Sequence, residues 1–436
     1  MTPSLRYLLT AITAGAALAS MHASPATHRP VSEMSGRDFS AHYSLYPYTF
    51  EAAPALTGSP DGYEPFHIEH YGRHGARWLI DQKDYDQPLE QLEKAERNGV
   101  LTQLGRETLE LLRDLSAKEA GRREELSDVG AIQHQGIGER MVKNFPEVFA
   151  PGSVVNAKST VVIRCILSMV NELNSINKLA PGTKVLTDAS NADMYYMNFD
   201  DTVGLKIRNA AKKGALKKYT RKYPETGAYL NRLISSPQFI ADSIDSKGLE
   251  RRMWRFLSNT QSHLGAPWLT DRVFTPEELH AQWLRSNASW FVDAGNSKIN
   301  NYRGAYSQRN LLRNIIESAD TALMSPGVSA NLRFGHDGMV LPLTVLLELN
   351  DYAREINRFE DIEKAGWYCQ DIVPMAGNIQ MIFYRPVGST DPEDVLVKVL
   401  LNENETRLPG EPVTGPYYSW KALRKYYLDK LDSVRE

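Results

Sequence analysis

The segment Arg73-His74-Gly75-Ala76-Arg77 sets one imidazole between two permanent cations. That combination suits the capture of a phosphate group and attack on its phosphorus. A phosphate monoester surrounds its phosphorus with negatively charged oxygens, and guanidinium forks neutralise those oxygens while fixing the group in place. The same cations oppose a further positive charge on His74, so a ring nitrogen stays unprotonated in mild acid, where free histidine is largely charged. Gly75 is expected to let the backbone bend around the anion and to offer N–H donors. On their own, five residues of this kind more often make a solvated turn, so other segments must support the reading.

Two such segments follow along the chain, Ser159-Thr160-Val161-Val162-Ile163-Arg164 and Phe334-Gly335-His336-Asp337-Gly338. In this order the three resemble the histidine phosphatase superfamily, in the branch that holds histidine acid phosphatases and phytases. The resemblance runs from about residue 62 to about residue 430. It takes in Leu126-Ser127-Asp128-Val129-Gly130 with Gly136, Arg140 and Phe145-Pro146, and a C-terminal segment from Asp394 to Asn402. It implies that His74 is the nucleophile and forms a phosphohistidine, that Arg73, Arg77, Arg164 and His336 bind the phosphate, and that Asp337 is the proton donor. The chemistry asks for the same parts. An alkoxide leaves poorly unless an acid protonates it. A covalent intermediate splits one difficult displacement into two. Guanidinium groups take the place a metal holds in other phosphoryl transfers, so no cofactor is expected and no metal. Many relatives carry proline two residues after the second arginine, where this chain reads Trp78-Leu79, which bears on the loop's backbone shape more than on its charges. The His336-Asp337 pair resembles phytases and sugar phosphatases more than the His-Ala-Glu of inositol-polyphosphatase relatives.

Each residue also has a plainer role open to it. Arg164 could be a surface arginine on a helix, although its neighbours read as core and a buried arginine needs an anionic partner. His336 and Asp337 could cap the helix that begins near Gly338. The pattern strand, turn, helix around them would at the same time deliver their side chains to a strand's carboxyl end. His67, His70 and His74 do not make a metal site, because on one strand residues 67 and 70 point to opposite faces and no carboxylate or cysteine cluster lies near. A serine hydrolase is disfavoured by the lack of a Gly-x-Ser-x-Gly elbow. A phosphomutase and a phosphate-ligand binding protein whose catalysis has lapsed remain as alternatives.

With 436 residues, 42% of them hydrophobic, the chain can bury a large core. A net charge of −3 gives no general attraction to nucleic acid, so anion binding must come from local clusters. The expected partner is a small phosphorylated substrate, and composition leaves the oligomeric state open. Residues 1–23 read as an export signal, with Arg6 ahead of an apolar run from Leu8 to Ala19 that is too short to span a bilayer. A periplasmic or secreted protein without membrane attachment after cleavage is therefore expected. Cys165 and Cys369 could pair in such a compartment, but their contexts read as two buried thiols.

Periodicity places strands at 66–71, 154–157, 183–187, 379–384 and 395–401, and helices at 102–116, 131–145, 311–323 and 419–434. The helix after the second strand is expected to begin at Ser159 or Thr160, with its positive end near the phosphate. Between about 190 and 325 helix signals occur without strand alternation. The expected fold is α/β: a mixed, mainly parallel sheet flanked by helices, with core segments 24–189 and 326–436 and a helical cap insertion at 190–325. Within the cap, Lys206, Arg208, Lys212, Lys213, Lys217, Lys218, Arg221 and Lys222 form a basic run. A solvated helix face explains it most simply, and a cleft wall for a polyanion is the other option.

Overall fold

The computed structural model describes residues 30–433 apart from 200, 325 and 326, so the expected export signal lies outside the described residues. Strand β1 (Tyr63–Arg73) is buried at every position from 67 to 73, as a strand covered on both faces must be. With it stand β2 (Val154–Ser159), β3 (Lys184–Asp188), β4 (Ala330–Gly335), β5 (Asn378–Pro386), β6 (Leu396–Leu401), β7 (Asn404–Glu405) and β8 (Tyr418–Ser419). They form one mixed sheet in the order β3-β2-β4-β1-β5-β6-β7, with β8 also on β6. The half from β3 to β1 is parallel, and β5 onwards is antiparallel. Arg73 lies opposite Gly335, and Phe334 is flanked by Gly72 on one side and Ser159 on the other. The carboxyl ends of β1, β4 and β2 thus finish level, and the residues that follow each strand converge there.

Helices close both faces. On one, the stripe Ile137, Met141, Val142 and Phe145 meets Met169, Leu173 and Ile176 from the next helix and Val155, Leu332 and Phe334 from the sheet. The other face gathers Leu312, Ile315, Val340 and Trp420 against Phe383 and Val397. Each such side chain, fully buried, contributes roughly 1.5–3 kcal/mol. The helices behind these stripes are Asp128–Asn144, Ile163–Leu179, Arg309–Met324, Asp337–Leu346 and Trp420–Ser433. From Asp188 to Ala330 the described residues hold helices and turns and no strand. Cys165 and Cys369 are free, buried thiols. Among the described residues no helix is long and apolar enough to cross a membrane.

One local expectation fails. The helix after β2 starts at Ile163 and not at Ser159 or Thr160, because the Thr160 amide donates to Phe334 O at 3.0 Å and keeps the chain extended beside β4. Val162 precedes the helix without a side-chain cap.

Beneath the strand ends, Glu69 is buried among polar partners. Its Oε1 accepts from Asn331 at 2.7 Å and meets His67 Nε2 at 2.8 Å, while Oε2 accepts from Arg333 at 2.5 Å. Arg333 also reaches Asn314 and Ser318, tying helix Arg309–Met324 to the sheet. Burial pushes the Glu69 carboxyl up, but Arg333 and His67 outweigh it and hold it below its ordinary value. Replacing Glu69 by Ala would leave the Arg333 charge buried and unpaired, so urea denaturation at neutral pH should show a loss of about 3–5 kcal/mol. A loss near that of a surface substitution would contradict the network.

Candidate active site

At the end of β1 the backbone is pinned on both sides: Arg73 N donates to Gly377 O at 2.8 Å, and His74 N donates to Gly335 O at 2.9 Å. This places His74 against the end of β4, with its ring buried. His74 Nδ1 lies 2.9 Å from Gly75 O and donates to it. The ring proton therefore resides on Nδ1, and the Nε2 lone pair is left for a reacting atom. Burial, then the charges of Arg73, Arg164 and Arg77, hold this imidazole well below the ordinary histidine range.

The loop's own amides do not face an anion as the sequence suggested. Gly75 N donates to Ser168 Oγ at 3.1 Å and Ala76 N to Gln133 Oε1 at 2.8 Å, so helices Ile163–Leu179 and Asp128–Asn144 hold the loop from behind. Glycine is required here for close approach. A Cβ on Gly75 would come within 2.5 Å of Gly130 O, and one on Gly130 within 2.2 Å of Ala76 O. Nothing in the periodicity singled out Gln133 or Ser168. The Ser127-to-Gly130 motif was the visible trace of this contact.

The four residues expected to bind phosphate come together around His74. Arg73 is wholly buried; its Nη1 donates to His42 O at 2.7 Å and Val373 O at 2.8 Å, and its Nη2 pairs with Asp337 Oδ2 at 2.9 Å. Arg77 Nη1 donates to Trp78 O at 3.0 Å, and its guanidinium lies 6.0 Å over the Tyr43 ring. Asn259, from the helical segment between β3 and β4, donates to Arg77 O at 3.0 Å. Arg164 stands in the first turn of its helix and pairs with Glu124 at 3.2 Å. His336 sits edge-on to His74 with ring centres 5.8 Å apart, and its Nε2 lies 3.3 Å from Thr160 Oγ1. His336 is indeed the residue before helix Asp337–Leu346, but it makes no side-chain cap, while Asp337 Oδ1 accepts from Gly338 N at 2.8 Å.

Burial is the leading cause that brings His336 down from the usual 6.5 to about 4, with Asp337 opposing and the arginines assisting. Burial acts the other way on Asp337, yet Arg73, His42 and His336 outweigh it and take its carboxyl from 3.8 to about 2. The site therefore holds neutral histidines, three guanidinium groups and an ionised Asp337. His67 and His70 stand apart from this set: His67 bonds to Glu69 and Val328 O, and His70 packs on Phe334. No group of three potential metal ligands occurs among the described residues.

Sequence reasoning passed over Glu124, Thr160, His42 and Tyr43. His42 and Tyr43 border a neighbouring cleft of about 760 Å³, where Asp293 pairs with Lys212 and Glu225 with Arg251 and Arg285, while Lys217, Arg221 and Arg255 line it beside Trp290. The basic run is thus divided. A π turn at Lys212–Leu216 joins helices Thr202–Ala211 and Lys217–Thr220, and its extra residue per turn brings Lys212 and Lys217 onto the same wall. Lys213 and Lys218 are exposed and do not line the cleft, and Lys222 pairs with Glu360.

No family model matches the chain, and no curated protein does so either. Solved structures do match. A phosphate complex of the multiple inositol polyphosphate phosphatase of Bifidobacterium longum superposes with a TM-score of 0.69 at 18% identity, covering 90% of this chain and 98% of that one. The phytase from D. castellii gives 0.66 at 15%, covering 92% and 86%, and the phytase from Citrobacter braakii 0.53 at 14%, covering 84% and 98%. The fold is the one these phosphatases share, in agreement with the resemblance read from the motifs.

The depressed histidines make a prediction. An unfolded histidine takes up its proton near 6.5 and folded His336 only near about 4, so between those values the unfolded chain binds more protons and acidification weakens folding. Urea denaturation of the ligand-free protein should show stability falling from pH 6.5 towards 4, and His336→Asn should make that fall shallower. An equally steep fall in the variant would contradict the depressed value.

Proposed function

We propose that this chain is an exported phosphoric monoester hydrolase that works through a phosphohistidine on His74, with Asp337 as proton donor and phytate or related polyphosphorylated compounds as preferred substrates. The observation that carries the reading is the neutral His74 with a free Nε2, ringed by three guanidinium groups and His336, with one carboxyl group at its edge. Arg73, Arg77, Arg164 and His336 bind the phosphoryl oxygens and stabilise the charge of the transferring group. Nε2 attacks phosphorus, the N–P bond forms as the P–O ester bond breaks, and Asp337 gives its proton to the departing oxygen. Water then attacks the phosphohistidine, Asp337 takes up a proton from it, and inorganic phosphate leaves.

Asp337 paired with Arg73 is ionised, so its proton must arrive with the substrate. A phosphate monoester loses its second proton near pH 6. Below that value a monoanion enters, the guanidinium groups favour its dianionic form, and Arg73 turns from Asp337 to the phosphate. The released proton is then best held by the carboxylate that has lost its cation. This favours turnover in mild acid. The cations of the adjoining cleft support a substrate with more than one phosphate, since Lys217 and Arg221 stand on the wall where further phosphates would lie.

The test is phosphate release near pH 5, with chelator present, from phytate and from p-nitrophenyl phosphate. Turnover should persist with chelator and vanish in His74→Ala, and Asp337→Asn should slow phytate, the poorer leaving group, more than the nitrophenyl ester. Replacing Lys217 and Arg221 together by Ala should raise KM for phytate by roughly tenfold, the loss of two solvent-exposed ion pairs, and leave the nitrophenyl ester nearly unchanged. Phosphate binding by folded wild type without any turnover would favour a binding protein instead.

A further inference from the structure

The arginine that enters from β2 is the one expected phosphate ligand whose guanidinium is held by a carboxylate from outside the site's own motifs. Glu124 belongs to the turn that follows helix Gln103–Glu119. That turn runs back beside the residues that leave the His74 loop: Trp78 N donates to Glu125 O at 3.0 Å, Glu124 N to Leu79 O at 3.3 Å, and Arg77 and Leu126 form an antiparallel bridge. Glu124 itself sits at φ 68°, in the left-handed region that side chains with a Cβ avoid. The backbone holds it there from both sides, and its carboxylate reaches Arg164 Nη1 at 3.2 Å.

The contact divides the guanidinium in two. Arg164 is largely buried, 11% exposed at its side chain, and its Nε has no hydrogen-bond partner. With Nη1 on Glu124, the edge made by Nε and Nη2 is left free, and that edge is a two-donor fork of the kind phosphate accepts. Arg164 also lies close enough to act on both His74 and His336. Glu124 is 45% exposed, so as a plain surface pair the contact would stabilise folding little.

We propose that Glu124 is a positioning residue for phosphate binding: it fixes the Arg164 guanidinium so that its free edge faces the group held over His74, and it couples that orientation to the backbone of the His74 loop. This rests on the reading that Arg164 binds the phosphate. Because its anchor is the pairing of 77–79 with 124–126, a shift of the loop would carry the arginine with it.

The experiment is a double-mutant cycle read by competitive inhibition with inorganic phosphate and by KM and kcat for p-nitrophenyl phosphate. Glu124→Ala keeps a Cβ and so keeps the backbone preference at this position. It should weaken phosphate binding and raise KM by about fivefold, the worth of one such ion pair, with kcat changed less. Glu124→Gln retains an acceptor for Nη1 and should restore most of the affinity. In an Arg164→Ala background, Glu124→Ala should have no further effect. Tighter phosphate binding in Glu124→Ala would overturn the proposal, since the carboxylate would then be occupying the anion's place. So would an undiminished effect without Arg164, which would mark a general structural role. If Arg164→Ala alone leaves phosphate binding unchanged, the reading of Arg164 fails first, and that result is distinct from a failure of Glu124 beside a sensitive Arg164.

Discussion

Three guanidinium groups converge on one neutral imidazole, and their mutual repulsion is the constraint that the surrounding structure answers. Two carboxylates stand against them directly, Asp337 paired to Arg73 at 2.9 Å and Glu124 paired to Arg164 at 3.2 Å. The remaining charge is held by backbone oxygens: Arg73 donates to the carbonyls of His42 and Val373, and Arg77 to that of Trp78. Carbonyl dipoles fix a cation without cancelling it, so the site keeps a net positive field. Such a fixed positive field favours an anion over a cation at the strand ends, the kind of preorganisation on which electrostatic catalysis rests.

That field depends on where three strands stop. β1, β4 and β2 are parallel neighbours whose carboxyl ends lie level, so Arg73 and His74, His336 and Asp337, and the segment leading to Arg164 emerge side by side. A slip of one residue would reverse which side chains face the site. The buried Glu69 network guards against it, because its partners come from β1, from β4 and, through Arg333, from the helix that precedes β4. Helices Asp128–Asn144 and Ile163–Leu179 then take up the amides of the His74 loop, so side chains and not a backbone nest face the strand ends.

The histidines stay neutral for two reasons that act together, burial and the nearby guanidinium charges, and Asp337 is held ionised by the same cations. Proton placement at the site thus follows from the same cations and the same burial. Beyond it, the cleft at His42 and Tyr43 gathers cations from helices far apart in the chain, and a π turn at Lys212–Leu216 lies where the long basic run divides between cleft and solvent.

The chain's local order determined a good deal. Runs of alternating or continuous apolar residues marked β1, β2, β4, β5 and β6 and the helices that cover them, because hydrophobic period is a property of neighbours in sequence. Arg73, His74, Arg77, Arg164, His336 and Asp337 were singled out for a different reason: plainer roles were open to each, but their segments taken in order resemble a known superfamily, and the structure brings those segments to neighbouring strand ends. What could not be read is whatever depends on contact across the fold. The Thr160 amide delays a helix because β4 lies beside it. The amides of Gly75 and Ala76 turn to Ser168 and Gln133, which no spacing links to them. Glu124 meets Arg164 across forty residues of chain. Such partners are chosen by packing of distant elements, a constraint that acts on surfaces and distances and leaves no periodic trace in the sequence.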